Sequence, residues 1–373
     1  MKIIYDAQIF AAQEYGGISR YFCEIVKSLE AEKRVSARIL APLYINAYVA
    51  KLSKLLMIGF PCPSFLRAMQ SKWIKIFMRV LGLGIGDITL RVYRPDIIHE
   101  TYYSPIKFGS SRAKRVLTIY DMIHEKFADQ FALSDKTARY KAIAARRADH
   151  VICISESTRN DVIDILNLDP SKVSVTYLGF SALGEGTSCN LVSIDGITKP
   201  YILYVGNRTG YKNFKTLLMA YAASGLLCDK FQLVCFGGGP FSEHEQIEIA
   251  RLGLKNNDVL QYSGDDQRLS QFYRQAQAFI YPSLYEGFGI PPLEAMANHC
   301  PVICSNTSSI PEVVADAGEY FDPYDAHTLQ KAIEGVVSSS HRMDELRKAG
   351  LERLKYFSWD RCAQETLNIY KRL

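Results

Sequence analysis

Two glutamates in one stretch rich in glycine and aromatic residues have the types and the spacing for chemistry. Glu286 and Glu294 lie eight residues apart in YPSLYEGFGIPPLEAMA, residues 281–297. Pro291 and Pro292 suit the first turn of a helix, which predicts Glu286 on the preceding loop and Glu294 just inside the helix. Two carboxylates placed in this way can bind different hydroxyl groups of one ligand.

Two predicted helix starts offer backbone N–H groups to a phosphate. One follows Gly16 and Gly17 in EYGGISRYF, and the other includes Phe288, Gly289 and Ile290. The free N–H groups and the positive dipole end of a helix favour an anion, and glycine lets a ligand approach the backbone. For the first of these segments, a plain turn and helix cap explains the residues equally well.

A pair of cations occupies another predicted loop between a strand and a helix. Arg208 and Lys212 lie in VGNRTGYKNF. A guanidinium fork and an ammonium point charge together suit a diphosphate, although solvated cations are also common near helix starts.

Two further loops follow predicted strands and carry histidine next to acids. TIYDMIHEKF contains Asp121 and His124, and IIHETYYSP contains His99 and Glu100. Histidine can bond a sugar hydroxyl or a developing charge near neutral pH. A structural role is the alternative for each of these residues, and more so for His99 and Glu100. Asp121, His99 and Glu100 are possible contacts of the acceptor or the sugar.

The elements that must position these loops alternate between short β-branched runs and helical patterns, which predicts parallel sheets covered on both faces. We expect an α/β fold of two doubly wound, Rossmann-like domains facing a central cleft, at 1–182 and 200–357. The Gly- and Ser-rich segment 183–199 is predicted to be a linker. The predicted strands are 2–5, 37–40, 96–99, 116–120, 150–155, 173–178, 201–206, 231–237, 258–264, 277–282 and 301–306.

Length and composition agree with two domains and exclude several classes of protein. The chain has 373 residues, 48% of them hydrophobic and 22% charged, which is a globular composition. The nine cysteines contain no C-x-x-C pair, which favours reduced thiols over a zinc site or disulfides. GLGIGD and FGGGP lack the dinucleotide-binding spacing, and no P-loop, zinc-protease or serine-hydrolase motif occurs. The N-terminus lacks the features of a signal peptide, so we expect a cytoplasmic protein.

The first half of the chain carries an unusual excess of positive charge. Residues 1–183 contain 26 Lys and Arg against 17 Asp and Glu, and no acid lies between Glu32 and Asp87. SFLRAMQSKWIKIFMRVLGLG predicts an amphipathic helix within that segment. Such a helix can bind an anionic membrane surface, or it can pack on its own domain with a solvated basic face. The residues that would face the membrane are Lys72, Trp73, Lys75 and Arg79. Nucleic acid is not an expected partner.

These motifs resemble the family 4 glycosyltransferases, which are retaining enzymes of the GT-B fold. The resemblance rests on the E-x7-E element EGFGIPPLEAMA, the loop VGNRTGYKNF and the segment YGGISRY, and it extends over nearly the whole chain. RADHVICISESTRNDV and PVICSNTSSIPEVVADAGEYFDP add to it. The finer match is to bacterial transferases that add mannose or rhamnose during the assembly of surface polysaccharide such as O-antigen.

The resemblance implies a role for each residue singled out above. It implies a donor diphosphate site at Arg208, Lys212, Gly16, Gly17 and the helix start 288–290, a ribose site at Glu294, and catalytic sugar contacts at Glu286 and His124. It also implies that a last helix, 359–373, crosses back to the first domain. One residue departs from the family pattern, since His299 stands where the family usually has a glycine that caps a helix.

The resulting hypothesis is a retaining, metal-independent hexosyltransferase that uses a nucleoside-diphosphate sugar, with GDP-mannose preferred and a UDP-sugar as the alternative. The acceptor would be a glycan or a polyprenyl-pyrophosphate-linked glycan, reached from the inner face of the plasma membrane. No cofactor or metal is expected, because the two cations would balance the diphosphate charge. A GT-B epimerase or phosphorylase and a non-enzymatic scaffold that binds nucleotide sugars are the competing hypotheses.

Overall fold

The computed structural model describes residues 1–63, 72–109, 112–182, 194–255 and 257–373, with the backbone alone for 72–79. The chain forms two compact units. Unit 1 consists of Met1–Gly179 together with Phe357–Leu373, and unit 2 is Phe180–Tyr356.

The structure describes only the second part of the predicted linker, residues 194–199. Residues 183–193 lie outside the described residues. Residues 194–199 are bonded to unit 2, because Gln232 Oε1 accepts from the backbone N–H groups of Thr198 (2.8 Å) and Lys199 (3.0 Å). The Tyr262 hydroxyl also donates to the carbonyl of Asp195 at 2.6 Å.

Unit 1 is built on a parallel sheet of seven strands in the order β3-β2-β1-β4-β5-β6-β7. Its central strands are nearly continuous apolar runs because helices on both faces exclude water from them. The strands are β1 Lys2–Tyr5, β2 Ser36–Tyr44, β3 Met57–Pro61, β4 Ile97–Glu100, β5 Lys114–Ile119, β6 His150–Cys153 and β7 Val173–Val175. The helices are Gln8–Ala12, Gly17–Leu29, Ala47–Ala50, Lys72–Tyr93, Ile123–Lys126, Thr137–Arg147, Glu156–Leu166 and Trp359–Tyr370, with single 3-10 turns at Ala128–Gln130 and Pro170–Lys172.

Unit 2 repeats this plan with a six-stranded parallel sheet in the order β10-β9-β8-β11-β12-β13. The strands are β8 Tyr201–Val205, β9 Gln232–Phe236, β10 Val259–Tyr262, β11 Ala278–Tyr281, β12 Val302–Ser305 and β13 Gly318–Phe321. The helices are Phe214–Ala222, Gly225–Lys230, Glu243–Arg251, Asp266–Gln275, Ile290–Ala297, Ile310–Val314, Ala326–Val337 and Ser340–Leu354, with 3-10 turns at Gly210–Lys212 and Ala315–Ala317.

The predicted fold class, with two doubly wound parallel-sheet domains, is confirmed, and so is each of the eleven predicted strands. The sequence missed β3 and β13, which are both edge strands with one neighbour each. An edge strand is half exposed, so its sequence is less uniformly apolar. Phe60 in β3 is 75% exposed, and β13 is only four residues long.

The last helix, Trp359–Tyr370, belongs to unit 1. Its predicted cap residue Ser358 accepts from the backbone N–H of Arg361 at 3.2 Å. Its far end is fixed by Tyr370, whose hydroxyl bonds to His99 Nδ1 at 2.5 Å and to the Tyr5 hydroxyl at 3.2 Å.

The basic helix is described over Lys72–Tyr93 and continues beyond its predicted end at Gly84, while the first predicted residues, 64–71, lie outside the described residues. Gly82 and Gly86 face Leu43 and Pro42 of β2, where an added Cβ would lie 3.6–3.7 Å from those side chains. Two glycines one turn apart therefore let the helix lie close to the sheet. The side chains of Lys72, Trp73, Lys75 and Arg79 lie outside the described part of the chain. No helix among the described residues is both long enough and apolar enough to cross a bilayer.

Candidate active site

A short ion pair at the strand ends of unit 2 joins two of the predicted site residues. Lys212 Nζ lies 2.6 Å from Glu286 Oε1. Lys212 ends the 3-10 turn after β8, and Glu286 lies on the loop after β11. Because β8 and β11 are parallel neighbours, their carboxyl ends meet at the same edge of the sheet. Leu284 N–H also donates to the Tyr211 carbonyl at 2.8 Å, which ties the two loops together.

Aromatic residues surround this ion pair. The Lys212 ammonium lies 5.3 Å from the ring centre of Tyr211 and 5.9 Å from that of Tyr281. Burial, together with the charge of Glu286, raises the pKa of Tyr281 well above its ordinary value. Glu286 itself is only 8% exposed, so the pair is largely shielded from solvent and its charges are weakly screened.

Hydroxyl side chains after β12 fix the loop that carries Glu286. Ser308 Oγ accepts from the N–H of Glu286 at 3.0 Å and lies 2.6 Å from the Glu286 carbonyl. Ser309 Oγ donates to the carbonyls of Glu286 and Phe288, each at 2.9 Å. Thr307 Oγ1 donates to the Leu284 carbonyl at 3.1 Å. In the sequence, the segment SNTSSIPE contributes only to the family resemblance and gives no sign that its hydroxyl groups hold the Glu286 loop.

The second glutamate lies where the sequence predicted it, inside the helix Ile290–Ala297. Gly289 precedes this helix with φ +110°, a conformation that favours glycine. Glu294 is half-buried and accepts from the Tyr273 hydroxyl at 3.2 Å. The helix start at Phe288, Gly289 and Ile290 thus follows the Glu286 loop directly.

His299 adopts the left-handed conformation that the family usually gives to glycine. Its φ is +57°, and its N–H donates to the Met296 carbonyl at 3.0 Å. Cys300 N–H donates to the Ala295 carbonyl at 2.9 Å, which completes a Schellman cap. The glycine turn therefore forms without glycine.

Arg208 is bonded to groups of unit 2 other than Glu286, the acid that Lys212 contacts. Its side chain is 2% exposed, and the guanidinium lies 4.7 Å from the ring centre of Phe241. It donates to Glu245 Oε1 at 2.6 Å and to the carbonyls of Gly237 at 2.9 Å, Gly239 at 2.9 Å and Pro240 at 3.1 Å. Four of its five N–H groups are used in this way. This arrangement does not favour the diphosphate role that the sequence suggested for Arg208.

In unit 1 the predicted phosphate-binding glycines lie at a helix start. Gly16 is the N-cap of the helix Gly17–Leu29, in an extended conformation. A Cβ on Gly16 would meet Gln13 Oε1 at 2.2 Å, whereas a Cβ on Gly17 would meet nothing within 4 Å. Gly17 therefore leaves open space at the N-terminus of a 13-residue helix.

His124 lies on the short helix after β5, as the strand-end prediction requires. Its Nε2 is 3.6 Å from Asp135 Oδ2, and its ring stacks on Phe131 with centres 4.1 Å apart. Its Nδ1 is buried with no hydrogen-bond partner among the described residues.

The helix that carries His124 is held by a buried lysine. Lys141 is 0% exposed, and its Nζ donates to the Asp121 carbonyl and to Glu125 Oε2, both at 2.8 Å. The Asp121 carboxylate caps the turn by accepting from the N–H of Ile123 at 3.0 Å.

His99 and Glu100, expected as possible acceptor contacts, lie in the core of unit 1. His99 is 0% exposed, its Nε2 bonds to Thr118 Oγ1 at 2.8 Å, and burial lowers its pKa to about 3. Glu100 is 3% exposed and accepts from Arg115 at 2.8 Å and from Arg147 at 2.6 Å. Because their polar atoms are bonded to protein groups away from solvent, this placement favours structural roles for both residues.

Comparison with known proteins places these observations in a family. A sequence model of the family "Glycosyltransferase Family 4" matches residues 15–182, and one of "Glycosyl transferases group 1" matches 195–353. The fold is shared with WaaG, "a glycosyltransferase involved in lipopolysaccharide biosynthesis" (TM-score 0.68, 17% identity, 99% of each chain covered). It is also shared with HepE of Anabaena in complex with UDP-glucose (TM-score 0.69, 17% identity, 100% of each chain covered).

The fold and the family models together define a GT-B glycosyltransferase. The chain belongs to the family 4 glycosyltransferases, the family that its motifs resemble. Two relatives are named as O-antigen chain mannosyltransferases. The O-antigen chain mannosyltransferase B of Escherichia coli is 28% identical over 296 residues, 76% of each protein. The O-antigen chain mannosyltransferase RfbU of Salmonella typhimurium is 27% identical over 62% of this chain and 66% of that protein.

Proposed function

We propose that this protein transfers a hexose, with retention of configuration, from a nucleoside-diphosphate sugar to a hydroxyl group of a glycan. The observation that carries the proposal is the Lys212–Glu286 pair, 2.6 Å long and directly before the helix start at Gly289. The pair offers one cation for a diphosphate and one carboxylate for sugar hydroxyls, next to a helix end that favours anions.

Without a donor, the charges of Lys212 and Glu286 neutralise each other. When a donor binds, each group would contact a different part of it. A diphosphate would draw the Lys212 ammonium, and the sugar hydroxyls would then donate to Glu286. Negative charge grows on the diphosphate as the glycosidic bond breaks, so Lys212 and the helix start would bind the transition state more tightly than the ground state. These groups supply positive charge without a metal, and we propose a metal-independent reaction.

The remaining roles follow the family resemblance. Glu294, half-buried on the helix, would accept from the ribose hydroxyls. In unit 1, Gly16 and Gly17 would offer a helix start to a phosphate. The Nδ1 of His124, which has no hydrogen-bond partner in the described part of the chain, would bond a sugar hydroxyl.

GDP-mannose is the proposed donor, supported by the two mannosyltransferase relatives. A UDP-sugar is the second candidate, supported by the fold neighbour solved with UDP-glucose. An assay of nucleotide release with GDP-mannose and UDP-glucose distinguishes them, and the proton NMR spectrum of the anomeric position reports retention or inversion.

The proposed acceptor is a lipid-linked glycan, reached while unit 1 lies on an anionic membrane surface. The acid-free segment 33–86 supplies nine bases. The basic helix adds an apolar stripe, because Leu81, Ile85, Ile88 and Val92 are 42–77% exposed at helical spacing. Changing Lys72, Lys75 and Arg79 together to Glu should release the protein from vesicles that contain phosphatidylglycerol. Unchanged co-sedimentation of this variant would contradict membrane docking.

Replacement of the central carboxylate tests the transfer reaction. Glu286→Gln keeps the size of the side chain and removes its charge, so we expect sugar transfer to fall by at least about 100-fold in a variant that still folds, with a melting temperature lowered by the loss of the ion pair with Lys212. Glu352→Gln, which removes an exposed carboxylate paired with Lys355, is the matched control. Turnover of Glu286→Gln close to that of the control would refute the assignment.

A further inference from the structure

The side chain of Arg208 is buried in unit 2 and is surrounded by hydrogen-bond acceptors. Its guanidinium is enclosed by the loop 237–241 on one side and by Glu245 on the other, with four hydrogen bonds of 2.6–3.1 Å. With the side chain only 2% exposed, movement of Arg208 toward a phosphate would leave Glu245 without its cation and would remove the Arg208 donor from the carbonyls of Gly237, Gly239 and Pro240. Of these three carbonyls, that of Gly237 keeps a longer contact of 3.4 Å with Gln261 Nε2.

The loop that Arg208 contacts contains three successive glycines, whose backbone conformation is weakly restricted by their own residue type. Gly237, Gly238 and Gly239 have φ values of +88°, +69° and +73°, so three successive residues carry the largest backbone freedom of any residue type. The loop also lies tightly against the end of β8, because a Cβ on Gly238 would be 2.9 Å from the Gly206 carbonyl and 2.8 Å from an Arg208 nitrogen. External contacts must therefore order this segment, and Arg208 supplies three of them.

Glu245 is fixed in turn by the start of its own helix. It forms a capping box with Ser242, whose backbone N–H and hydroxyl both lie 2.7 Å from Glu245 Oε2. Burial would raise the pKa of Glu245, but the hydrogen bonds from Arg208 and Ser242 outweigh it and lower this pKa. The carboxylate therefore stays charged and keeps the guanidinium in one orientation.

We infer that Arg208 is a positioning residue that, together with Glu245, holds the glycine loop 237–241 in the shape that receives the donor nucleotide, and that Arg208 does not itself bind the diphosphate. The inference rests on the proposed function for its substrate, since it concerns the same donor site. It leaves Lys212 as the side-chain cation for the diphosphate in the loop 206–213.

The two possible roles of Arg208 make opposite predictions for Glu245. If Arg208 holds the loop, Glu245→Gln loosens the loop and weakens nucleotide binding. If Arg208 binds the diphosphate, Glu245 competes with the ligand, and Glu245→Gln releases the guanidinium and strengthens binding.

Calorimetric titration of the full chain with GDP and GMP, and with UDP and UMP, tests the inference. We expect Glu245→Gln and Arg208→Lys each to weaken binding of the nucleoside diphosphate and of the monophosphate by the same factor, about tenfold. Glu248→Gln is the matched control, since it lies on the same helix and pairs with the exposed Lys215 at 3.4 Å. Tighter diphosphate binding by Glu245→Gln, or a loss in Arg208→Lys confined to the diphosphate, would overturn the inference.

Lys212→Met separates this inference from the proposed function. This change should weaken binding of the diphosphate much more than binding of the monophosphate. Equal effects on the two affinities would contradict the diphosphate role of Lys212 and leave the Arg208 result intact.

Amide hydrogen exchange without nucleotide provides an independent readout of the loop 237–241. Faster exchange at residues 237–239 in Glu245→Gln, with exchange in β9 unchanged, supports the holding role. Unchanged exchange at these residues would refute it, even if no nucleotide bound.

Discussion

Replacement of Ser309 tests how the fold positions the carboxylate of Glu286, which we propose to be catalytic. Ser309 is 0% exposed, and its hydroxyl lies 2.9 Å from the carbonyls of both Glu286 and Phe288. Ser309→Ala removes this donor between the loop that carries Glu286 and the helix start that follows it.

The contacts set the size of the expected effect. A serine hydroxyl has one proton to donate, so the change removes one buried hydrogen bond shared between two carbonyls. The Glu286 carbonyl keeps its contact with Ser308 Oγ at 2.6 Å. We therefore expect a loss of about 1–2 kcal/mol in the free energy of unfolding, and a melting temperature lower by about 2–8 °C for a unit of this size. If the carboxylate moves with its loop, the rate of sugar transfer should fall by about tenfold or more.

Thermal unfolding and the initial rate of transfer are measured together, with Ser270→Ala as the matched control. Ser270 is 2% exposed, and its hydroxyl donates one hydrogen bond to Asn298 Oδ1, beyond the far end of the helix that carries Glu294. Ser270→Ala should destabilise unit 2 to a similar degree and retain its rate. A Ser309→Ala variant that is destabilised like this control but transfers sugar at the wild-type rate would refute the positioning role.

Three further changes test other parts of the structure. His299→Gly should raise the stability by about 1 kcal/mol, because it relieves a left-handed residue with a Cβ, and an unchanged or lower melting temperature would contradict this. His99 is neutral in the fold with a pKa near 3, so its contribution to stability is complete above pH 6.5 and is lost as the pH falls toward 3. Urea unfolding at pH 7.5 and pH 5 should therefore show a weaker pH dependence for His99→Gln than for wild type, and equal dependences would disprove it. Lys141→Met leaves Glu125 buried without its cation and should cost about 3 kcal/mol, whereas a change at the exposed Lys136 should cost almost nothing.

The sequence predicts the fold well because buried parallel strands are continuous apolar runs between helical patterns. This signal fails at β3 and β13, two of the four edge strands, because a strand with a neighbour on one side only need not be apolar throughout. It also places Glu286 and Lys212 on strand-end loops, since parallel neighbours share one edge of the sheet.

The orientation of side chains within those loops could not be predicted. Arg208 and Lys212 are four residues apart, but Gly210 between them has φ +54°, and the two cations reach different acids. A position near the end of a strand also does not distinguish a site histidine from a core histidine. His99 is still within β4 and is buried in the core, whereas His124 lies beyond the end of β5.

The most direct test of the proposed donor site is a thermal-shift series with GDP, UDP, dTDP, ADP and CMP, measured on wild type and on Lys212→Met. A nucleoside diphosphate at about 100 times its dissociation constant stabilises the folded state by about 2.7 kcal/mol. We predict that one diphosphate raises the melting temperature of wild type by about 5–10 °C and that Lys212→Met loses most of this shift. No shift with any of these nucleotides, or an equal shift in Lys212→Met, would contradict a donor site built on Lys212 and Glu286.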